Sequence, residues 1–386
     1  MSKGYRWTIL GLACASIAVM SLSVLIYPPS IPALMHEFDT SYLAASLPAT
    51  LIAVPGILFS VPVSISATKK GVRLWGSVSL ACIALGSTTV FVAPNFPVIL
   101  IGRFGTGFGA ILFIIVPLSL SHWFDAKSRA LAMGAFVASS SLVNALALSM
   151  AGSMVTSFGW RSTFLLTSLV AMLVFGCFLR WMREAESSHD RSAPPSQHKR
   201  LSNLFSLDMW KLSLVWLLSN FSLSAFLTWY ATFLVEVKGA ELGLASILAG
   251  MVMLSGVPVA PLAGWISDRL GRRRVIIVLS LVAESFLYGL AALVEGVAAV
   301  VTVLALGVFI GIVASLIFAL PREMFGAERA GLSLGLMNTF LNLGTFTGPS
   351  VIGLVKDLTG DFLIGFWIVS ICCTLAAALA YLTKAQ

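Results

Sequence analysis

The sequence predicts an all-α membrane protein, with twelve transmembrane helices in two pseudo-symmetric six-helix bundles. Three observations predict it. Of the 386 residues 58% are hydrophobic and only 10% charged, too few to solvate the surface of a soluble globule. A turn is then repeated 200 residues apart, as Ser64-Ile-Ser-Ala-Thr68-Lys69-Lys70-Gly71-Val-Arg73 and Gly264-Trp-Ile-Ser-Asp268-Arg269-Leu-Gly271-Arg272-Arg273. A second pair recurs at that spacing, Ser128-Arg129-Ala130 and Glu328-Arg329-Ala330, followed by Gly134 and, one residue later in its copy, Gly335, so the chain reads as an internal duplication. Finally, the basic residues fall almost entirely on one side of the expected spans.

Apolar runs of roughly 20 residues suffice to cross about 30 Å of hydrocarbon. In the first half they lie near 8–29, 43–67, 75–93, 97–121, 130–155 and 161–181. In the second half they lie near 209–233, 242–267, 274–294, 297–320, 330–354 and 360–382. The first run follows Lys3 and Arg6 as a secretory leader would, yet it is too long and leads into Tyr27-Pro28-Pro29-Ser30-Ile31-Pro32 without a small-residue cleavage site. It is expected to stay as helix one, with His36 in the loop beyond it. The polar stretch with Pro194-Pro195, His189 and His198 divides the chain into an N-terminal bundle (1–182), a cytoplasmic linker (183–208) and a C-terminal bundle (209–386).

With the N-terminus inside, 20 of the 24 Lys and Arg residues fall on the cytoplasmic face, all but Arg103, Arg161, Lys238 and Lys356. That bias places both termini in the cytoplasm of a multi-pass protein of the cell membrane. The net charge of +8 therefore orients the chain in the bilayer and gives no ground for a nucleic-acid partner.

The sequence offers little to an enzyme. Cys14, Cys82, Cys177, Cys372 and Cys373 all sit inside expected spans without disulfide or metal-site spacing. No helical His pair and no phosphate-cradling loop occurs, so neither a cofactor nor a metal is expected.

Two charged residues stand out well inside spans. Arg103, in Ile101-Gly102-Arg103-Phe-Gly105-Thr-Gly107-Phe-Gly109, carries a charge that costs at least about 2.5 kcal/mol in hydrocarbon. It either faces a cavity, where it suits an anionic solute, or bonds backbone carbonyls of a neighbouring helix; the glycines around it permit close helix approach. Glu284, ten residues past Arg274, is either a proton site or a neutral carboxyl bonded to a neighbouring helix. Neutral candidates for solute contact are Tyr27 on helix one, Asn144 on helix five, Asn220, Trp229 and Tyr230 on helix seven, and Asn338 and Asn342, which share a face of helix eleven. Amides in membranes also hold helices together. Trp7, Trp123 and Trp210 are expected in the interfacial belt.

The second turn matches the loop motif G-x-x-x-D-R-x-G-R-R of the major facilitator superfamily at Gly264, Asp268, Arg269, Gly271, Arg272 and Arg273, and the chain resembles that family over essentially its whole length. The first copy keeps Lys69, Gly71 and Arg73 but has Ser64 and Thr68 in place of the glycine and aspartate. The resemblance implies the major facilitator fold, with helices one, four, seven and ten lining a cavity and three, six, nine and twelve as scaffold. It also implies alternating-access secondary transport, two halves rocking about a central site. The turn residues, with Arg129 and Arg329, then become gating candidates, Asp268 holding one side closed by hydrogen bonds to a helix end or to basic partners. Arg103 with its glycines is similar to the family's fourth-helix motif. The helix-five G-x-x-x-G-P of many exporters is missing from Asn144 to Gly152, while Gly344-Thr-Phe-Thr-Gly348-Pro349 stands in helix eleven. Ser121-His122-Trp123-Phe124 through Gly134, with Gly4-Tyr5-Arg6-Trp7, is similar to branches that carry small organic anions such as monocarboxylates.

The expected function is thus secondary transport of a small organic anion or similar metabolite, with protons as candidate coupling ion, membrane lipid as surroundings and a monomer as working unit. Proton-coupled efflux of drugs or lipophilic compounds is the alternative within transport. A non-transporting sensor or assembly partner is the alternative class.

Overall fold

The computed structural model describes residues 4–184, 207–259, 262–263, 267, 269, 271–317, 320–325 and 327–383, and all regular structure among them is helical. Among the described residues, ten helical stretches are long and apolar enough to cross a membrane. The two other expected span positions are occupied by the shorter apolar helix Leu242–Gly256 and by the long helix Ala327–Thr359. Large apolar side chains such as Leu85, Ile101, Phe158, Leu173, Leu279 and Phe286 stay exposed along these helices. Lipid tails are the solvent that tolerates such a surface. Chain packing separates two compact units, one of residues up to 190 with Leu234–Gly250, the other of the remainder.

The first unit begins with α1 (Tyr5–Leu25), which ends ahead of Pro28-Pro29 in a 3-10 turn, Pro28–Ser30. Proline cannot donate the backbone hydrogen bond that would carry the α-helix on. Helical structure resumes in α2 (Ile31–Phe38), so His36, expected in a loop, lies in that helix's last turn. The second expected span is two helices, α3 (Tyr42–Leu51) and α4 (Val54–Lys70). Ser41 caps α3 by accepting from the Ala44 N–H at 3.2 Å. Helix α5 (Val72–Phe91) follows, and the fourth span is broken into α6 (Phe96–Thr106), a 3-10 turn at Gly107–Ile111, and α7 (Leu112–Trp123). Glycine disfavours continuous helix, and Gly105, Gly107 and Gly109 converge at the break. The first unit's span helices close with α8 (Ala126–Phe158) and α9 (Trp160–Trp181).

Ile17, Leu80, Ile83, Ile115, Leu120 and Phe178 belong to one buried cluster in this unit. Where α5 crosses α6, backbones touch: a Cβ on Gly102 would lie 2.7 Å from the Gly86 carbonyl oxygen and 3.1 Å from the Val90 nitrogen. At one end of the unit, Glu37 of α2 bonds Arg161 at 2.7 Å and accepts from the Trp160 indole N–H at 2.6 Å. Tyr42 donates to Glu236 at 2.7 Å.

The second unit is built from α10 (Leu207–Lys238) up to Phe233, the end of α11 (Leu242–Gly256) from Met251, α12 (Arg273–Leu293), α13 (Gly296–Ile317), the short α14 (Leu320–Phe325), α15 (Ala327–Thr359) and α16 (Phe362–Tyr381). Helix α12 packs most extensively on α16 and then on α13. Asp361 caps α16, accepting from the Leu363 N–H at 2.8 Å. The duplication read from two turns extends to whole elements: α8 and α15 both have 33 residues, and each is followed by a positive-φ glycine, Gly159 and Gly360.

Candidate functional site

In the first unit Tyr27 meets Arg103. Arg103 is 1% exposed on α6. Nε donates to the Pro48 carbonyl at 2.8 Å and Nη1 to the Ser23 carbonyl at 2.6 Å. Both acceptors sit in the last turns of helices, α3 and α1, where the final four carbonyls have no partner along their own helix. A cation there also faces the negative ends of two helix dipoles. The guanidinium lies 5.1 Å from the Tyr27 ring centre and 6.0 Å from that of Phe164, within cation–π range. Tyr27 is fully buried and donates to the Ala45 carbonyl at 2.5 Å. Carbonyls orient this charge without neutralising it, for Arg103 meets no carboxylate among the described residues, and its Nη2 has no hydrogen-bond partner there.

In the second unit, two candidates share a cavity of about 30 Å³: Asn220 on α10 and Glu284 on α12, with Trp216, Ser219, Val313 and Ala314 among the other walls. Glu284 is 2% exposed. Its Oε2 accepts from the Cys373 thiol of α16 at 3.6 Å, while Oε1 has no partner among the described residues. The buried Ser219 hydroxyl is likewise unpartnered there. Asn220 turns its amide back on its own helix, donating to the Trp216 carbonyl at 2.8 Å.

The other candidates are spread through their units. Trp229 and Tyr230 are both fully buried. The Trp229 indole donates to the Pro349 carbonyl of α15 at 2.8 Å, and Tyr230 stacks on Phe226 with ring centres 4.3 Å apart. Asn342 donates to the Asn338 carbonyl at 2.8 Å, and both side chains are half-buried, as is Asn144 on α8.

The gating candidates divide by turn. Gly71 adopts φ +89°, which glycine reaches without strain. The Arg73 N–H donates to Glu184 at 2.7 Å and its Nη2 to the Leu179 carbonyl at 2.6 Å, tying this turn to the end of α9. In the second turn Gly271 takes φ +60°, Arg269 and Arg272 are exposed, and Arg273 Nε donates to the Ser267 hydroxyl at 3.2 Å. Lys69 lies in the last turn of α4, and Arg129 and Arg329 stand in the first turns of α8 and α15. Gly264 and Asp268 lie outside the described residues.

Sequence reasoning missed Ser219, Cys373 and Glu184. Ser219 adjoins the polar Asn220 and could have been flagged. Cys373 stands 89 residues from Glu284, and Glu184 is 111 from Arg73. Neither separation leaves a local pattern.

Comparison with known proteins accords with this architecture. The model of the Major Facilitator Superfamily matches residues 12–349 and again 239–385. The hexuronate transporter of Bacillus subtilis is 24% identical over 319 residues, 77% of this chain and 75% of that protein. A protein of Agrobacterium vitis, provisionally named a tartrate transporter, is 27% identical over 364 residues, 83% of this chain and 80% of its own. Among solved structures, a bacterial homologue of the human lysosomal transporter Spinster, inward-facing and unoccupied, superposes with TM-score 0.83 at 14% identity, covering 99% of this chain and 98% of that one. The relatives are transporters, not enzymes. With the family match running through most of its length, this multi-pass membrane chain belongs to the Major Facilitator Superfamily.

Proposed function

We propose that the protein is a secondary transporter that moves a small carboxylate-bearing organic anion by alternating access. The observation that carries the reading is the unneutralised Arg103 charge: a buried guanidinium held by two carbonyls, with Nη2 unpartnered among the described residues. Such a charge raises the local potential felt by an anion and repels a cation. The names of the relatives, for hexuronate and provisionally for tartrate, support the same solute class. Tyr27, Asn144, Asn220, Trp229, Tyr230, Asn338 and Asn342 shape or support the path, directly or by holding its helices.

The positive-inside bias of the sequence orients the chain in the cell membrane with both termini in the cytoplasm. Asp268 and its neighbouring arginines hold the cytoplasmic side closed, the first turn contributing through Lys69, Gly71 and Arg73. The solute moves with protons through a monomer.

Counterflow in proteoliposomes tests this. Hexuronate or tartrate inside the vesicle should accelerate entry of its labelled form. Exchange of lipophilic cations alone, with no anion exchanged, would overturn the reading in favour of efflux.

A further inference from the structure

We propose that Glu284, together with water in the cavity between α10, α12 and α13, is the proton-binding site of this transporter; the proposal rests on the transport reading above. Three observations, all within the second unit, point there. The carboxyl is buried on a helix whose other buried positions are apolar or neutral. Its two oxygens are not equivalent, because Oε2 is taken by the Cys373 thiol and Oε1 has no protein partner among the described residues. The cavity it lines measures about 30 Å³, roughly twice the least volume that holds one water.

The cavity wall is mostly apolar, and the polar groups of Glu284, Ser219 and Asn220 open onto it. Ser219 is 7% exposed and its Oγ is unpartnered among the described residues; outside the cavity wall, one turn along α12 from Glu284, the fully buried Tyr288 hydroxyl is unpartnered there too. A water needs two to four polar partners, and Glu284 Oε1, Ser219 Oγ and Asn220 supply them. The titratable groups near the carboxyl are Cys373 from α16 and Tyr288 from α12 itself; α10 and α13 contribute none to the cavity wall. No cation among the described residues neutralises the carboxylate, so its charge state is set by proton uptake.

The step is a single transfer. In the charged form Oε1 accepts from cavity water. On uptake a proton arriving through that water forms an O–H bond on Oε1, its carrier is left as neutral water, and Oε2 keeps the Cys373 hydrogen bond. Loss of the proton reverses each change. Helix α10 reads the difference, because it supplies Ser219 and Asn220 to the cavity and, further along, bonds α15 through Trp229 and Pro349. A carboxylate draws hydrogen-bond donors of α10 towards α12, whereas a neutral carboxyl releases them. Glu284 lies on a helix that the family resemblance treats as scaffold, and the cavity it shares with Asn220, a candidate for solute contact on α10, links the two.

Two measurements on purified Glu284→Gln protein test the site. In proteoliposomes under a gradient of about one pH unit, the wild type should accumulate solute about tenfold for one proton per solute. Glu284→Gln should accumulate none while retaining counterflow. Accumulation by Glu284→Gln would overturn the proposal. The second measurement needs no solute: infrared titration should show a protonated-carboxyl band that Glu284→Gln removes and Ser219→Ala shifts in midpoint. A wild-type band that persists at every pH at which the protein stays folded, or that survives in Glu284→Gln, would also overturn it. If no anion exchanges in counterflow, the transport reading fails, and the infrared titration still judges the proton site.

Discussion

Arg103→Lys should destabilise the protein by about 1.5–3 kcal/mol, the value of one hydrogen bond to a charged group. Arginine reaches the Pro48 and Ser23 carbonyls with two nitrogens of one planar fork, at 2.8 and 2.6 Å. Lysine places a compact ammonium at a single point, so one of the two helix ends loses its donor. Arg103→Met removes both donors and leaves two buried carbonyls unmet, at about 1–3 kcal/mol each. Neutral hydrogen bonds between membrane helices average only about 0.6 kcal/mol, which places the expectation towards the lower end: about 1.5 for lysine and about 3 for methionine. In populations that is about a tenfold and a hundredfold rise in the unfolded fraction. Chemical unfolding of detergent-purified protein, followed by tryptophan fluorescence, measures both. Transport per folded molecule should fall as well, since neither replacement reproduces Nη2. Unfolding free energies of both variants within about 0.5 kcal/mol of wild type, the scatter of an ordinary surface change, would refute the assignment of Arg103 as the clamp on the ends of α1 and α3.

Other expectations follow from single contacts. Gly102→Val places a Cβ 2.7 Å from the Gly86 carbonyl and against the backbone of Val90, which cannot rotate away; overpacking should cost about 1–3 kcal/mol or more, seen as lost expression and thermal stability. Gly176→Ala, with nothing within 4 Å of the new methyl, is its silent control. Trp229→Phe keeps the ring packing but loses the bond to Pro349, so stability should drop by about 1 kcal/mol in the same unfolding assay. Asp268→Asn should slow the interconversion of the two access states, measured as a lower transport rate at unchanged solute affinity; a pure loss of affinity would count against gating.

The all-helical membrane fold and its duplication are properties of composition and period, so the linear chain carries them by itself. Apolar runs must be long enough to satisfy their own backbone in lipid, and this leaves a pattern that survives without neighbours. The repeated turns survive for a related reason, since Gly71 and Gly271 need positive φ and the basic residues beside them mark one membrane side. That Arg103 and Glu284 are exceptional was equally visible, because any charge inside an apolar run is costly. What each does with its charge was not visible. Arg103 could have faced a cavity or carbonyls, and only the fold brings Pro48 and Ser23, 55 and 80 residues away, to its two nitrogens. Likewise only packing sets Cys373 against one oxygen of Glu284 and a water-sized space on the Asn220 side. Burial decides which polar atoms must find partners, and the choice of partner depends on helix crossings made by glycines and small residues far apart in the chain.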